Sequence, residues 1–96
     1  MIVEFNAEAG DEFDRATEWY RHQSAKAANS FVLKVQEAIS GIVADPQRFE
    51  RVKHGCQRCG LRPFPYSLIF LASPSKIIIV AVAHGSRRPG YWHSRV

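Results

Sequence analysis

The sequence predicts an α+β fold: an N-terminal strand, a two-helix hairpin, then three antiparallel strands, with the helices packed on one face of the sheet. Three observations lead there. Apolar residues recur at helical spacing through most of the first half. Extended segments rich in β-branched and aromatic residues gather after Gln57. Asp45-Pro46 marks the change of regime, since proline cannot continue a helical ladder. With 96 residues, the chain is read as one domain spanning 1–96, with a single modest core.

The elements follow in order. Ile2 to Phe5 reads as a short strand ended by Asn6, a helix N-cap. A helix from Ala7 to about Gln23 carries Ala9, Phe13, Ala16 and Tyr20 on one stripe. Its opening turns hold Glu8, Asp11, Glu12 and Asp14, which suit the positive end of the helix dipole. Ser24 caps a second helix to about Ala44, with Ala28, Phe31, Val32, Val35, Ala38, Ile39 and Ile42 as its apolar stripe. Arg48 to Gly55 is polar and reads as loop, with a short strand around Phe49 to Val52 left open. Strands are expected at Gln57 to Phe64, Tyr66 to Ala72 and Lys76 to Ala83, the last two joined tightly by Ser73-Pro74-Ser75. The run Ile77-Ile78-Ile79-Val80 is apolar on both faces and marks a central strand, covered on both sides or partly masked by a partner.

Composition narrows the function. Hydrophobic residues make up 46% of the chain, enough for a packed core. The longest purely apolar run, Ile77 to Ala83, is far short of the ~20 residues a membrane helix needs. The first residues lack a basic-then-apolar leader pattern, so a cytoplasmic protein is expected. Charge is divided unevenly. Up to Gln47 four basic residues face eight acidic ones, whereas from Arg48 onward nine basic residues face only Glu50. A basic half on a small domain points to a polyanionic partner, either nucleic acid or an acidic protein.

The densest chemistry follows the last strand: His84, Arg87, Arg88, Tyr91, Trp92 and Arg95 come in quick succession. Arg58 and Arg62 are expected on a neighbouring strand, so these groups should form an exposed cationic and aromatic cluster at the edge of the sheet. The order strand, helix, helix, strands, with Leu61-Arg62-x-Phe64-Pro65-Tyr66 leading to Ala81-Val82-Ala83-His84-x-x-Arg87-x-Pro89-x-Tyr91-Trp92, resembles the RelE/ParE superfamily of toxins from type II toxin–antitoxin systems. Trp19-Tyr20, late in the first helix, fits the same pattern, and the resemblance covers nearly the whole chain. The His84-x-x-Arg87-x-Pro89 signature is closer to the ParE-like branch.

That resemblance implies a toxin held inactive by a cognate acidic antitoxin protein, with higher-order toxin–antitoxin complexes open to the pair. No cofactor, no metal and no membrane association are expected. The ParE-like branch implies growth arrest through direct binding to DNA gyrase, with no residue catalytic and the basic tail a docking surface. The RelE-like alternative implies metal-free cleavage of mRNA on the ribosome, which needs a base, an acid and cations for the phosphate. In that scheme the catalytic set is His84, Arg62, Arg87 and Tyr91. His84 acts as base or acid because imidazole titrates near neutrality. The arginines clamp the phosphate with forked donors, and Tyr91 orients or stacks on an RNA base. Arg58, Arg88, Trp92 and Arg95 are the expected binding surroundings. The RelE-like branch usually carries lysines on its second helix or nearby strands and a wider spacing between arginine and the final tyrosine, whereas here Arg87 and Tyr91 sit one short turn apart and the neighbouring strand offers Arg58 and Arg62. A third reading is a toxin-like domain that has lost activity and persists as a binding module.

Each of these residues also has a plainer role. His84 can cap a strand end, the arginines can meet antitoxin carboxylates, and Tyr91 and Trp92 can close the open end of the core. Cys56-x-x-Cys59, with His54 nearby, lacks the second pair of ligands a zinc site wants, and it precedes an extended segment rather than a helix. Two unpaired thiols are the expected state.

Overall fold

The computed structural model describes residues 1–96, and its elements begin and end where capping chemistry places them. β1 (Ile2–Phe5) gives way at Asn6, whose side-chain oxygen accepts from the Ala9 N–H at 2.8 Å and starts α1 (Ala7–Gln23). Such a cap stabilises a helix by about 1 kcal/mol. Ser24 then serves two helices. Its N–H donates to the Tyr20 carbonyl at 3.0 Å and closes α1, while its hydroxyl accepts from the Ala27 N–H at 2.9 Å and opens α2 (Ala25–Ala44). Helix α2 stops at Asp45, ahead of Pro46.

Four strands follow: β2 (Glu50–Arg51), β3 (Gln57–Gly60), β4 (Tyr66–Ala72) and β5 (Lys76–His84). The sheet order is β1-β5-β4-β3-β2, parallel between β1 and β5 and antiparallel elsewhere. The α+β class is as the sequence predicts, with the two-residue β2 as a fifth strand. The strand expected over Gln57 to Phe64 is shorter and ends at Gly60. Pro63 and Pro65 have no N–H for a ladder, and residues 61–65 fold into a turn closed by Phe64 N–H to the Leu61 carbonyl at 2.9 Å. Arg62 therefore sits exposed in a turn and not on a strand. The last long strand is central, as its run apolar on both faces predicts: β5 lies between β1 and β4.

The main core lies between the helices and the sheet. Phe31, Val35 and Ile42 of α2 meet Leu68 and Phe70 of β4 and Ile77, Ile79 and Val82 of β5. Small residues on α1, Ala9 and Ala16, let that helix approach closely. Phe31 is the aromatic hub, within 5.1 Å of Tyr20 and 5.3 Å of Phe64 between ring centroids.

A bulge in β5 decides which face the end of the strand serves. The pairing passes from Ile69–Ala81 to Phe70–Ile79, so Val80 is an extra residue without a partner. Before it, Ile77 and Ile79 face the helices; after it, Val82 does, while Val80 and Ala81 both join the opposite face. His84, two residues beyond Val82 and paired with Tyr66, thus emerges on the helix side, its ring 4.9 Å from that of Tyr66. The helix-free face is covered by the chain itself. Cys56, Ile69, Val80, Ala81 and Trp92 form a second, smaller core there.

Candidate functional site

β1 ends before β5 does. The last link between them is Asn6 N–H to the Ile79 carbonyl at 3.0 Å, and past that point side chains take over the edge of β5. The Val82 N–H donates to Glu12 Oε1 at 3.0 Å, and the Val80 carbonyl accepts from Arg95 Nη1 at 3.0 Å. Glu12 and Arg95 also bind each other fork to fork, at 2.8 and 3.0 Å, and the Tyr91 hydroxyl donates to Glu12 Oε2 at 2.6 Å. One carboxylate thus collects four donors, two on each oxygen.

The electrostatics of this knot are self-consistent. Burial works against a charged Glu12, but the hydrogen bonds from Arg95, Tyr91 and the Val82 N–H outweigh it and hold its pKa below the ordinary carboxylate range. Burial, donation to Glu12 and the carboxylate's charge all push the Tyr91 phenol well above its usual value. The hydrogen bond to Glu12 raises Arg95 further against its own burial.

The turn between β5 and Tyr91 carries the exposed cations. The His84 carbonyl accepts from the Arg87 N–H at 3.0 Å, and the Ser86 N–H donates to His84 Nδ1 at 2.9 Å, with Ser86 Oγ at 2.8 Å from the same nitrogen. A backbone N–H can only donate, so Nδ1 is the acceptor and a neutral His84 carries its proton on Nε2. Arg87 and Arg88 are exposed, and neither has a salt-bridge partner. The Arg87 guanidinium lies 4.0 Å from the centre of the Tyr91 ring, within cation–π range.

Two grooves meet at this ridge, and His84 and Arg87 line both. The larger, about 560 Å³, runs over the helix-free side and includes Lys53, Arg58 and Arg88 around Ile69 and Ala83. The smaller, about 260 Å³, lies toward α1 and includes Arg15, Trp19 and Tyr66. Trp19 is 57% exposed there.

The structure therefore groups His84, Arg87, Arg88, Arg58, Tyr91 and Trp92 around one groove and leaves Arg62 and Arg95 outside its lining. Arg58 also pairs with Glu50 at 3.4 Å, an exposed and weak ion pair. Arg62 lines a separate depression with Arg58 and Gly85. Of the two roles the sequence offers Trp92, exposed binding residue or closure for the core, it takes the second: it is 6% exposed and plugs the second core, its ring edge-on to His93 at 4.5 Å. Tyr91 and Arg95 are engaged with Glu12 rather than free, because burial leaves each needing a partner. Cys56 and Cys59 are unpaired and belong to different cores on opposite faces, so they do not form a ligand pair. No group of three or more His, Cys, Asp or Glu is placed to hold a metal ion.

Sequence reasoning missed Glu12, Lys53 and Arg15. For Glu12 a signal existed: it falls three residues after Ala9 and four before Ala16, inside the apolar stripe, where a lone charge needs a buried partner.

The family model described as "ParE toxin of type II toxin-antitoxin system, parDE" matches residues 3–89. Among solved structures, the chain is similar in fold to one from P. aeruginosa described as "Chromosomal ParDE TA system". The TM-score is 0.72 at 17% identity, over 88% of this chain and 95% of that one. No curated protein matches the sequence. No helix is long and apolar enough to cross a membrane.

Proposed function

The chain belongs to the ParE toxin family of type II toxin–antitoxin systems, and from that premise we propose that it arrests growth by binding and not by cleavage: a cytoplasmic toxin that inhibits DNA gyrase through direct contact and is neutralised by a cognate acidic antitoxin. The observation that carries this reading is the state of the groups a nuclease would need. A general base requires an open lone pair, and that of His84 is taken by the Ser86 N–H. Tyr91 and Arg95 are committed to Glu12. What stands free at the ridge is Arg87 and Arg88, permanently charged forks suited to carboxylate or phosphate. An antitoxin rich in carboxylates has its electrostatic counterpart in the basic half of the chain.

Purified protein tests the reading directly. Added to gyrase and relaxed plasmid, it should block supercoiling, and added antitoxin should restore it. In a translation extract it should leave mRNA uncut. Cleavage within reading frames on ribosomes, with supercoiling untouched, would replace this proposal with the RelE-like one. A folded protein that arrests nothing on expression would favour a binding module without toxicity.

A further inference from the structure

We infer that Glu12 is a positioning residue for the cationic ridge: by anchoring Tyr91 it sets where the Arg87 guanidinium stands, while meeting no partner itself. The inference rests on the binding reading above, and three relations support it.

Glu12 clamps both flanks of the turn that bears His84, Arg87 and Arg88. It accepts from the Val82 N–H just before the turn and from the Tyr91 hydroxyl just after it. The turn is thus tied at both ends to one side chain of α1. Next, the Tyr91 ring is immobilised as a platform. Its hydroxyl is held at 2.6 Å, and Arg95, itself fixed on Glu12 and the Val80 carbonyl, stands 5.0 Å from the ring centre. Finally, Arg87 has no carboxylate to hold it, and its guanidinium stands 4.0 Å from the centre of that ring. An arginine stacked beforehand gives up less freedom when a partner arrives than one left to wander. Loss of the Glu12 anchor releases the ring, and with it the guanidinium. Tyr91 and Arg95 lie beyond the residues matched by the family, so this arrangement is argued from the chain's own geometry.

The test compares Glu12→Gln, Tyr91→Phe, Arg87→Ala and the double variant E12Q/R87A, each checked for folding by thermal melting. Ring current from Tyr91 should displace the Arg87 side-chain Nε–H resonance from its free position. In E12Q and Y91F that resonance should move toward the free value. Growth arrest on induced expression should weaken by about tenfold in E12Q, as in R87A, and the double variant should be no weaker than the worse single one. An Arg87 resonance unmoved in folded E12Q and Y91F overturns the positioning role. So does full growth arrest by folded E12Q when R87A is harmless. Arrest that survives loss of both Arg87 and Arg88 sinks the binding reading instead, and the resonance still decides what Glu12 does. Should E12Q fail to fold, Y91F keeps the Glu12–Arg95 pair and carries the same comparison.

Discussion

Glu12, early in α1, and Arg95, at the C-terminal end, meet carboxylate to guanidinium at 2.8 and 3.0 Å across 83 positions of sequence. The side chains are only 15% and 12% exposed, so each charge depends on the other. This contact fastens the tail to the first helix, and the exposed arginines project from the turn it encloses.

Arg95→Ala leaves a largely buried carboxylate without its cation and should cost about 3 kcal/mol. Urea denaturation followed by circular dichroism measures it. Replacing both partners, E12Q/R95M, should cost less than the two single changes added together, because no charge is then stranded. Strict additivity would mean that the two side chains do not interact.

The acid limb of stability should belong largely to Glu12. Its folded pKa is depressed, so its contribution is complete above the ordinary carboxylate value of 4.5 and is lost as pH falls through the lower folded value. Urea midpoints measured from pH 6 down to 3 should drop steeply in the natural protein and more gently in E12Q. Tyr91 supplies the opposite sign. Its phenol is raised above the ordinary 10.0, so its contribution is present below that value and fades at higher pH.

Exposed Arg87 and Arg88 should separate function from folding. The double change to Ala should cost no more than about 1 kcal/mol, since neither side chain is buried or salt-bridged and only the Arg87–Tyr91 cation–π contact is lost. The same variant should lose growth arrest on induction. Unaltered killing by this folded protein would remove the ridge from the functional surface.

Gln57 is buried, and its amide donates to the Pro46 and Phe49 carbonyls, bridging β3 to the segment that leaves α2. Gln57→Leu fills similar space but leaves both carbonyls short of a donor, at a cost of about 1–3 kcal/mol. Hydrogen exchange should accelerate around Phe49 and Arg58 ahead of the helices.

The thiols should be inert while the protein is folded. Burial raises the pKa of both Cys56 and Cys59, and for Cys59 it does so against the opposing pull of Arg48, Lys34 and Arg58. Ellman's reagent should label native protein only slowly, with the 8%-exposed Cys59 ahead of the fully buried Cys56. Mild oxidant should produce no intramolecular disulfide. A rapid link between the two would contradict their separation into opposite cores.

Much of the fold could be read along the chain because its causes are local. Asn6 and Ser24 announce helix starts through a side-chain oxygen three residues from the N–H it receives, and Pro46 ends α2 by chemistry within one turn. The cluster of His84, Arg87 and Arg88 was also visible, since residues on one short turn stay together in any fold. Arg62 was misplaced because strand periodicity ran on through Pro63 and Pro65, which deny the ladder its donors. Tyr91 and Trp92 read equally as part of an exposed cluster and as closure for the core, and Arg95 reads as a surface group, because composition says nothing of burial in a tail that returns across the sheet.

By itself, then, the sequence determined the order and limits of the helices, the placing of most strands, the basic second half and the family pattern, all carried by neighbours within a few residues or by summed composition. Only the tertiary structure decided that β1 lies parallel beside β5, that the bulge at Val80 turns His84 toward the helices, and that Glu12 gathers Val82, Tyr91 and Arg95. Those choices depend on which distant groups meet when the core closes. A buried carboxylate takes whatever donors the closed chain brings within 3 Å, and no local pattern encodes which they are.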